Sequence, residues 1–384
     1  VAEIVQGNAF SLGRLWFPGQ QPIVPFTGPD AAFARASAAT WDDALWANIL
    51  RRYGTGVLRR VVPINGLRAY GLEGGHTNYS VQSDMNTGWA GGGGSTFDDL
   101  SITGPDGLAL SAGVVTMPAS AAGRFTDALD AGLPKSVNIV TSFFGRRVGT
   151  PWSLDGPVGR FSDWDGNPFA DNTESVIDDI AWQRMLGVAV DSGGGVTTPQ
   201  QRIGNHSAEA RDVGVYGAQV GVGAFAKSLV ETSGGAATSE SDDLECAVAS
   251  GNPIQEEGFW FYLRPRFSSV EHGAEGMRQY LVSNSSQNAL RFHVGNVLRI
   301  DGDGVAVSRG VAWARDAVLT IVIDWVNAEM RLDGFLSGNG TVDITAAGDW
   351  AGLTLFQIGA TRTSLNDPYH GSMTELYPLA SAPI

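Results

Sequence analysis

Cysteine is almost missing: Cys246 is the only one in 384 residues, which excludes an internal disulfide and any multi-cysteine metal centre. No run of 18 or more apolar residues occurs, so no helical membrane span and no membrane insertion are expected. The first residues, Val1 to Val5, lack the basic and apolar regions of a signal peptide. A start at Val is compatible with removal of an initiator Met, and synthesis in a host cytoplasm is the expectation. Positive charge is also scarce. With 25 basic against 40 acidic residues the formal charge is −15, which repels phosphate backbones and argues against a nucleic-acid partner. The local exception is Arg51, Arg52, Arg59, Arg60 and Arg68, read as a solvated or interfacial face, with a subunit contact as the alternative. Catalytic signatures are missing too. The five histidines form no H-x-x-x-H pair and no G-x-S-x-G elbow is present, so no enzyme is expected.

Glycine stands out among what is there. Its 51 residues are nearly twice the usual ~7% share, and they cluster at turn-like spots such as Gly91–Gly94 and Gly193–Gly195. Many short strands with tight connections need that supply, because glycine takes positive φ without steric cost. A hydrophobic content of 43% marks a globular chain, and the length suits two or three domains. Residues 1–30 are broken by prolines and read as an arm. Residues 41–52, with Trp41, Leu45, Trp46, Ile49 and Leu50 at near-helical spacing, predict one short helix. Beyond residue 95 the pattern is that of strands. These include 136–144, 213–220 (Val213, Val215, Gly217 and Gln219 on one side), Phe259–Leu263, Leu319–Ile323 and Leu353–Ile358. No regular 20–50-residue repeat occurs, against a propeller or solenoid. The expected fold class is all-β: two β-sandwich (jelly-roll) domains in tandem, preceded by an irregular N-terminal anchoring region with at most one short helix.

Three ordered stretches carry a resemblance. Phe33-Ala-Arg-Ala-Ser-Ala-Ala-Thr-Trp41 resembles the "F-x-R-A-S-x-A-T-aromatic" opening of tailed-phage fibre and spike proteins. Gly71-Leu-Glu-Gly-Gly-His-Thr-Asn-Tyr79, with Gln82-Ser83 and Trp89, is similar to their "G-L-x-x-E-x-x-R-T-N" segment, with His76 where that pattern has Arg. Trp182-Gln-Arg184, Val215–Val220 and Gly223–Ser228 resemble the end of a carbohydrate-binding-module-like jelly roll in the same proteins, although Val220-Gly221 replaces the usual Leu-Glu. The last 130 or so residues are similar to laminin-G/concanavalin-A-like sandwiches through Leu319–Trp325, Met330–Gly334, Phe356–Gly359 and Tyr369–Tyr377. The resemblance implies an arm or anchoring region at 1–90, the jelly roll at 91–235, a linker at 236–252 and the laminin-G-like sandwich at 253–384.

Candidate ligand residues fall in two groups. Sugars present C–H faces and hydroxyl rims, so exposed aromatics beside amides and carboxylates are the candidates: Trp152, Trp164, Asn366, Asp367, Tyr369 and His370. Trp182, Trp260 and Trp325 lie in strands and read as core. The stretch 163–174 places oxygen donors of Asp163, Asp165, Asn167, Asp171 and Glu174 at alternate positions of a twelve-residue frame, as a calcium loop does. Pro168 stands where that loop wants glycine, and a solvated acidic loop is the competing reading. Calcium is the one cofactor left open.

The resemblance implies a spike or fibre subunit on the virion surface of a tailed phage or gene-transfer-agent-like particle. It implies partners of two kinds: other virion proteins through the N-terminal region, and a host cell-surface glycan. Homo-oligomerisation, with a trimer as default, follows from the same resemblance. The alternatives are a capsid-decoration or tail component that binds only virion proteins, and a glycan-degrading enzyme whose carboxylate pair the sequence does not nominate.

Overall fold

The computed structural model describes residues 21–42, 49–85, 88–119, 123–134, 137–149, 151–152, 158–162, 168–177, 180–190, 200–205, 209–361 and 367–383. It is all-β, with two sandwiches, as the glycine-punctuated strand pattern implies.

The first sandwich is a jelly roll. One five-stranded sheet runs in the order Pro168–Val176, Val158–Ser162, Gln200–Gly204, Arg124–Ala128, Ala90–Gly92. The other runs Gln183–Val190, Asn138–Val148, Arg211–Val222, Ala112–Met117, Thr96–Ile102. Phe125 and Ile203 of the first face Val115, Met117, Phe143, Met185, Val213 and Val215 of the second, which is the alternation expected of strands buried on one side. That alternation breaks once. Phe144 pairs with Tyr216 and Ser142 with Gln219, so two residues oppose Phe143. Gly217, at φ +67°, is the residue that makes this bulge, and beyond it Ala218 rather than Gly217 faces the core. The expected single face of Val213, Val215, Gly217 and Gln219 is therefore corrected at Gly217.

The second sandwich holds the larger core. A seven-stranded sheet (Ala31–Ala34, Asp243–Ala247, Leu355–Ile358, Gln279–Ser283, Ala289–His293, Val297–Gly302, Val305–Gly310) packs on a second sheet. The latter runs Gly340–Asp343, Glu329–Asp333, Leu319–Asp324, Gly258–Pro265, Gly371–Thr374, Leu67–Leu72, Arg59–Ile64. Leu281, Leu290, Ile300 and Phe356 from one side meet Phe259, Phe261, Ile321 and Met373 from the other, with Trp313 and Trp350 fully buried between. Gly371 sits where neighbouring strands of one sheet crowd: a Cβ there would lie 2.6 Å from the Arg264 carbonyl oxygen, so no side chain fits.

The N-terminal stretch does not stand apart as an arm from residue 22 onward. Val24 and Phe26 are buried in the second core, and the hairpin 59–72, turned at Asn65 and Gly66 (φ 48° and 81°), adds two strands beside Gly371–Thr374. Apolar Tyr70 and Leu72 complete that core, which is the physical reason for the attachment. The expected linker also carries strands: Ala237–Ser239 pairs with His76–Asn78, and Asp243–Ala247 with Ala31–Ala34. The short helix expected over 41–52 is corrected at both ends. Ala39–Asp42 and Leu50–Tyr53 are paired antiparallel strands, with Trp41 and Leu50 buried, and residues 43–48 between them lie outside the described residues.

Candidate functional site

The residues that carry the sequence resemblance meet at the seam between the sandwiches. Arg35 Nη1 donates to Asp242 Oδ1 at 2.8 Å, and Arg59 Nη1 lies 3.1 Å from Asp242 Oδ2 and 3.4 Å from Glu73 Oε2. Backbone N–H groups complete both carboxylates: Glu73 N donates to Asp242 Oδ2 (2.8 Å) and Ser228 N to Glu73 Oε1 (2.7 Å). All four side chains are at most 2% exposed. Burial acts to raise Glu73, but the positive groups facing it, Arg59 and Arg266 among them, outweigh it and hold its carboxyl well below the usual range. The rest of the motif is equally structural. Thr40 Oγ1 donates to the Leu229 carbonyl, and Asn78 donates to the carbonyls of Ala218 and Val230. His76 Nε2 lies 2.7 Å from the Ser228 carbonyl, so that nitrogen carries the proton.

The network continues toward solvent through Ser228, whose Oγ accepts from Arg266 Nη1 at 3.2 Å. Arg266 Nη2 and Arg184 Nη1 then converge on one oxygen, Asp42 Oδ1, at 2.5 and 2.7 Å. Burial acts to raise Asp42; the two guanidiniums overcome it and leave its carboxyl below the ordinary value. Trp41 divides the two stretches, with the Arg59 guanidinium 5.5 Å and that of Arg266 4.5 Å from its ring centroid.

Beyond Asp42 the seam opens into a cleft of about 570 Å³, in the size range of small-molecule sites. The jelly roll contributes Trp182, Gln183, Arg184 and Leu186; the other sandwich contributes Arg264, Arg266, Arg315 and Asp316; the segment of the paired strands Ala39–Asp42 and Leu50–Tyr53 contributes Trp41, Asp42 and Ile49. Trp182 is half-buried, its Nε1 donates to the Thr103 carbonyl at 3.1 Å, and the Arg146 guanidinium lies 5.0 Å from its ring, so the indole plane is held. Arg315 pairs with Glu271 at the rim. An aromatic face beside planar, charged hydrogen-bonders is an arrangement that can hold a sugar.

Of the sugar-binding candidates, Tyr369 and His370 are buried. Tyr369 is fully buried, its hydroxyl donating to the Ser372 carbonyl at 3.3 Å, and His370 is packed against Phe225 with Nδ1 accepting from Gly74 N at 3.4 Å. Neither has a free face, which corrects the reading of Tyr369 and His370 as exposed. Burial pushes the His370 imidazole well below its ordinary pKa, so it is neutral. Asp367 is half-buried, and Asn366 and Trp164 lie outside the described residues. Trp152 packs partly against the jelly-roll core under the Arg211 guanidinium, 5.0 Å from its ring.

Of the calcium candidates, Asp163, Asp165 and Asn167 lie outside the described residues, while Asp171 and Glu174 belong to the strand Pro168–Val176. That strand pairs with Val158–Ser162, so the second half of the frame is extended backbone. Among the described residues, no group of His, Cys, Asp and Glu is placed to hold a metal ion. The arginine cluster proves to be interior in part: Arg59 is buried, and Arg52 pairs with Asp106 and Glu231.

Sequence reasoning missed the cleft. Its residues run from Trp41 to Ser372, and the one available signal was Trp182-Gln-Arg184, where period-two spacing puts an indole and a guanidinium on one strand face.

No protein-family model matches the chain, and no curated protein matches it. Among solved structures it is similar to the N-terminal CBM22-1-CBM22-2 tandem domain of Xyn10C from Paenibacillus barcinonensis. That match has a TM-score of 0.31 and 11% identity, over 79% of this chain and 98% of that one. It is also similar to the botulinum neurotoxin serotype D binding domain (TM-score 0.18, 8% identity, 90% and 96% covered). Likenesses this faint carry no argument about function.

Proposed function

We propose that this chain is a non-catalytic, glycan-binding β-sandwich protein of the surface of a tailed phage or phage-like particle, acting as a homo-oligomeric spike or fibre subunit. The cleft at the seam carries the glycan half of this reading: Trp182, anchored by its indole N–H, beside Gln183 and the guanidinium groups of Arg184 and Arg266. The particle setting rests on the three ordered sequence stretches alone. Weak single-site binding suits such a protein, because many copies multiply affinity by roughly 10²–10⁴.

Two measurements test the reading. The full chain, applied to an array of bacterial envelope glycans, is expected to give a signal that Trp182→Ala removes while the melting temperature moves by a few degrees at most. Silence across the array sinks glycan binding and leaves a component that touches only virion proteins. Immunogold labelling of purified particles is expected to decorate their projections; unlabelled particles remove the virion assignment.

A further inference from the structure

The cleft is rich in guanidinium groups on a chain that is otherwise acidic. Arg184, Arg264, Arg266 and Arg315 line it against Asp42 and Asp316; with Glu271 added at the rim, four cations still face three carboxylates. The whole chain carries −15, so this concentration runs against its composition.

The stoichiometry at Asp42 sharpens the point. One carboxylate oxygen, Asp42 Oδ1, serves both Arg184 and Arg266. Arg184 spends its Nη2 on Ser142 Oγ and the Lys227 carbonyl, yet its Nε is buried and has no hydrogen-bond partner among the described residues. A guanidinium-lined site with surplus positive charge favours an anionic oxygen over a neutral hydroxyl, because charge-assisted bonds are roughly twice as strong.

Resting on the glycan-binding reading above, we infer that the cleft takes a carboxylate-bearing saccharide, a uronic acid or related sugar acid. The sugar carboxylate meets the guanidinium groups that line the cleft, and a ring face lies on Trp182. The same positive walls draw the acid in from solution, and that steering weakens with salt over the Debye length, about 8 Å at physiological ionic strength.

Polygalacturonate and its carboxyl-reduced counterpart, titrated separately into the full chain by calorimetry, test this. The acid polymer is expected to bind at least tenfold more tightly than the reduced one, and raising the salt is expected to weaken only the acid. Arg184→Gln is expected to lower acid affinity at least tenfold. Because Arg184 also braces the seam, Arg315→Gln at the exposed rim serves as a second variant, expected to lower acid affinity several-fold with unchanged melting. Equal binding of both polymers, or acid binding untouched by both variants, overturns the acid assignment while leaving glycan binding intact. Binding of neither polymer, with array signals confined to neutral glycans lost in Trp182→Ala, also overturns it. No saccharide binding anywhere removes the acid assignment and the underlying reading together.

Discussion

The seam has two ends built from the same chemistry and put to different uses. At the inner end Arg35 and Arg59 face Asp242 and Glu73, two cations for two carboxylates, with side chains 0–2% exposed. At the outer end Arg184 and Arg266 share Asp42, two cations for one, with side chains 9–13% exposed beside open space. A balanced, water-excluded set fixes a fold; an unbalanced set at a cleft is poised to accept a further anion. Arginine–carboxylate pairing alone does not mark a site. The count of partners and access to solvent do.

The largest effect is expected where the balance is perfect. Glu73→Ala leaves Arg59 facing Asp242 alone and removes the acceptor of Ser228 N, so an uncompensated buried charge remains. Losing one partner of such a pair costs about 3–5 kcal/mol. Urea unfolding of the variant is expected to show that loss, whereas the outer-end Arg315→Gln is expected to move stability by less than about 1 kcal/mol. If the two variants proved equally mild, the distinction between a structural and a ligand-ready end would collapse.

Much of the fold was legible because strand burial has a period of two. The stretches Phe259–Leu263 and Leu319–Ile323 read as strands, and they pair in the second sandwich. The jelly-roll alternation read correctly as far as Val215 and failed at Gly217, because a bulge is written in partner register and not in local composition. The motif around Arg35 and Glu73 was visible as a pattern, yet its role was not. Arg35 finds Asp242 some two hundred residues away, and no local rule places that partner. Tyr369 misled for a related reason. Polar neighbours suggested an exposed loop, but a carbonyl acceptor for its hydroxyl lets the ring sit fully inside.

Trp41 separates the two ends, and a backbone position sets how closely it fits. A Cβ on Gly71 would lie 2.8 Å from Trp41 ring carbons, at an otherwise ordinary strand position. Gly71→Ala must therefore push the indole toward Arg266 and the cleft, at an overpacking cost of about 1–3 kcal/mol. Both readouts are expected to move, the urea midpoint falling and glycan binding weakening. A variant with lost stability and intact binding would show that the ends are not coupled through Trp41.

The smallest effect is expected from pH, and at mildly acidic pH it comes from buried histidines. Burial lowers the pKa of His370, His76 and His272, so each is neutral in the folded chain. The unfolded chain binds protons at these groups below about 6.5, while the folded chain binds them only at lower pH. Stability is thus fully present above that pH and falls as pH drops, by at most about 1.4 kcal/mol per pH unit for each histidine. Glu73, held low, adds the same sign only below about 4.3, and Asp242, raised by burial, opposes it there. Between about pH 6.5 and 5.5 the histidines of the unfolded chain titrate and its carboxylates do not. Melting temperature is expected to fall over that interval, and His370→Gln to flatten the slope by removing one proton site. An unchanged slope in that variant would mean that His370 does not stay neutral, and that the inner end is wetter than its geometry implies.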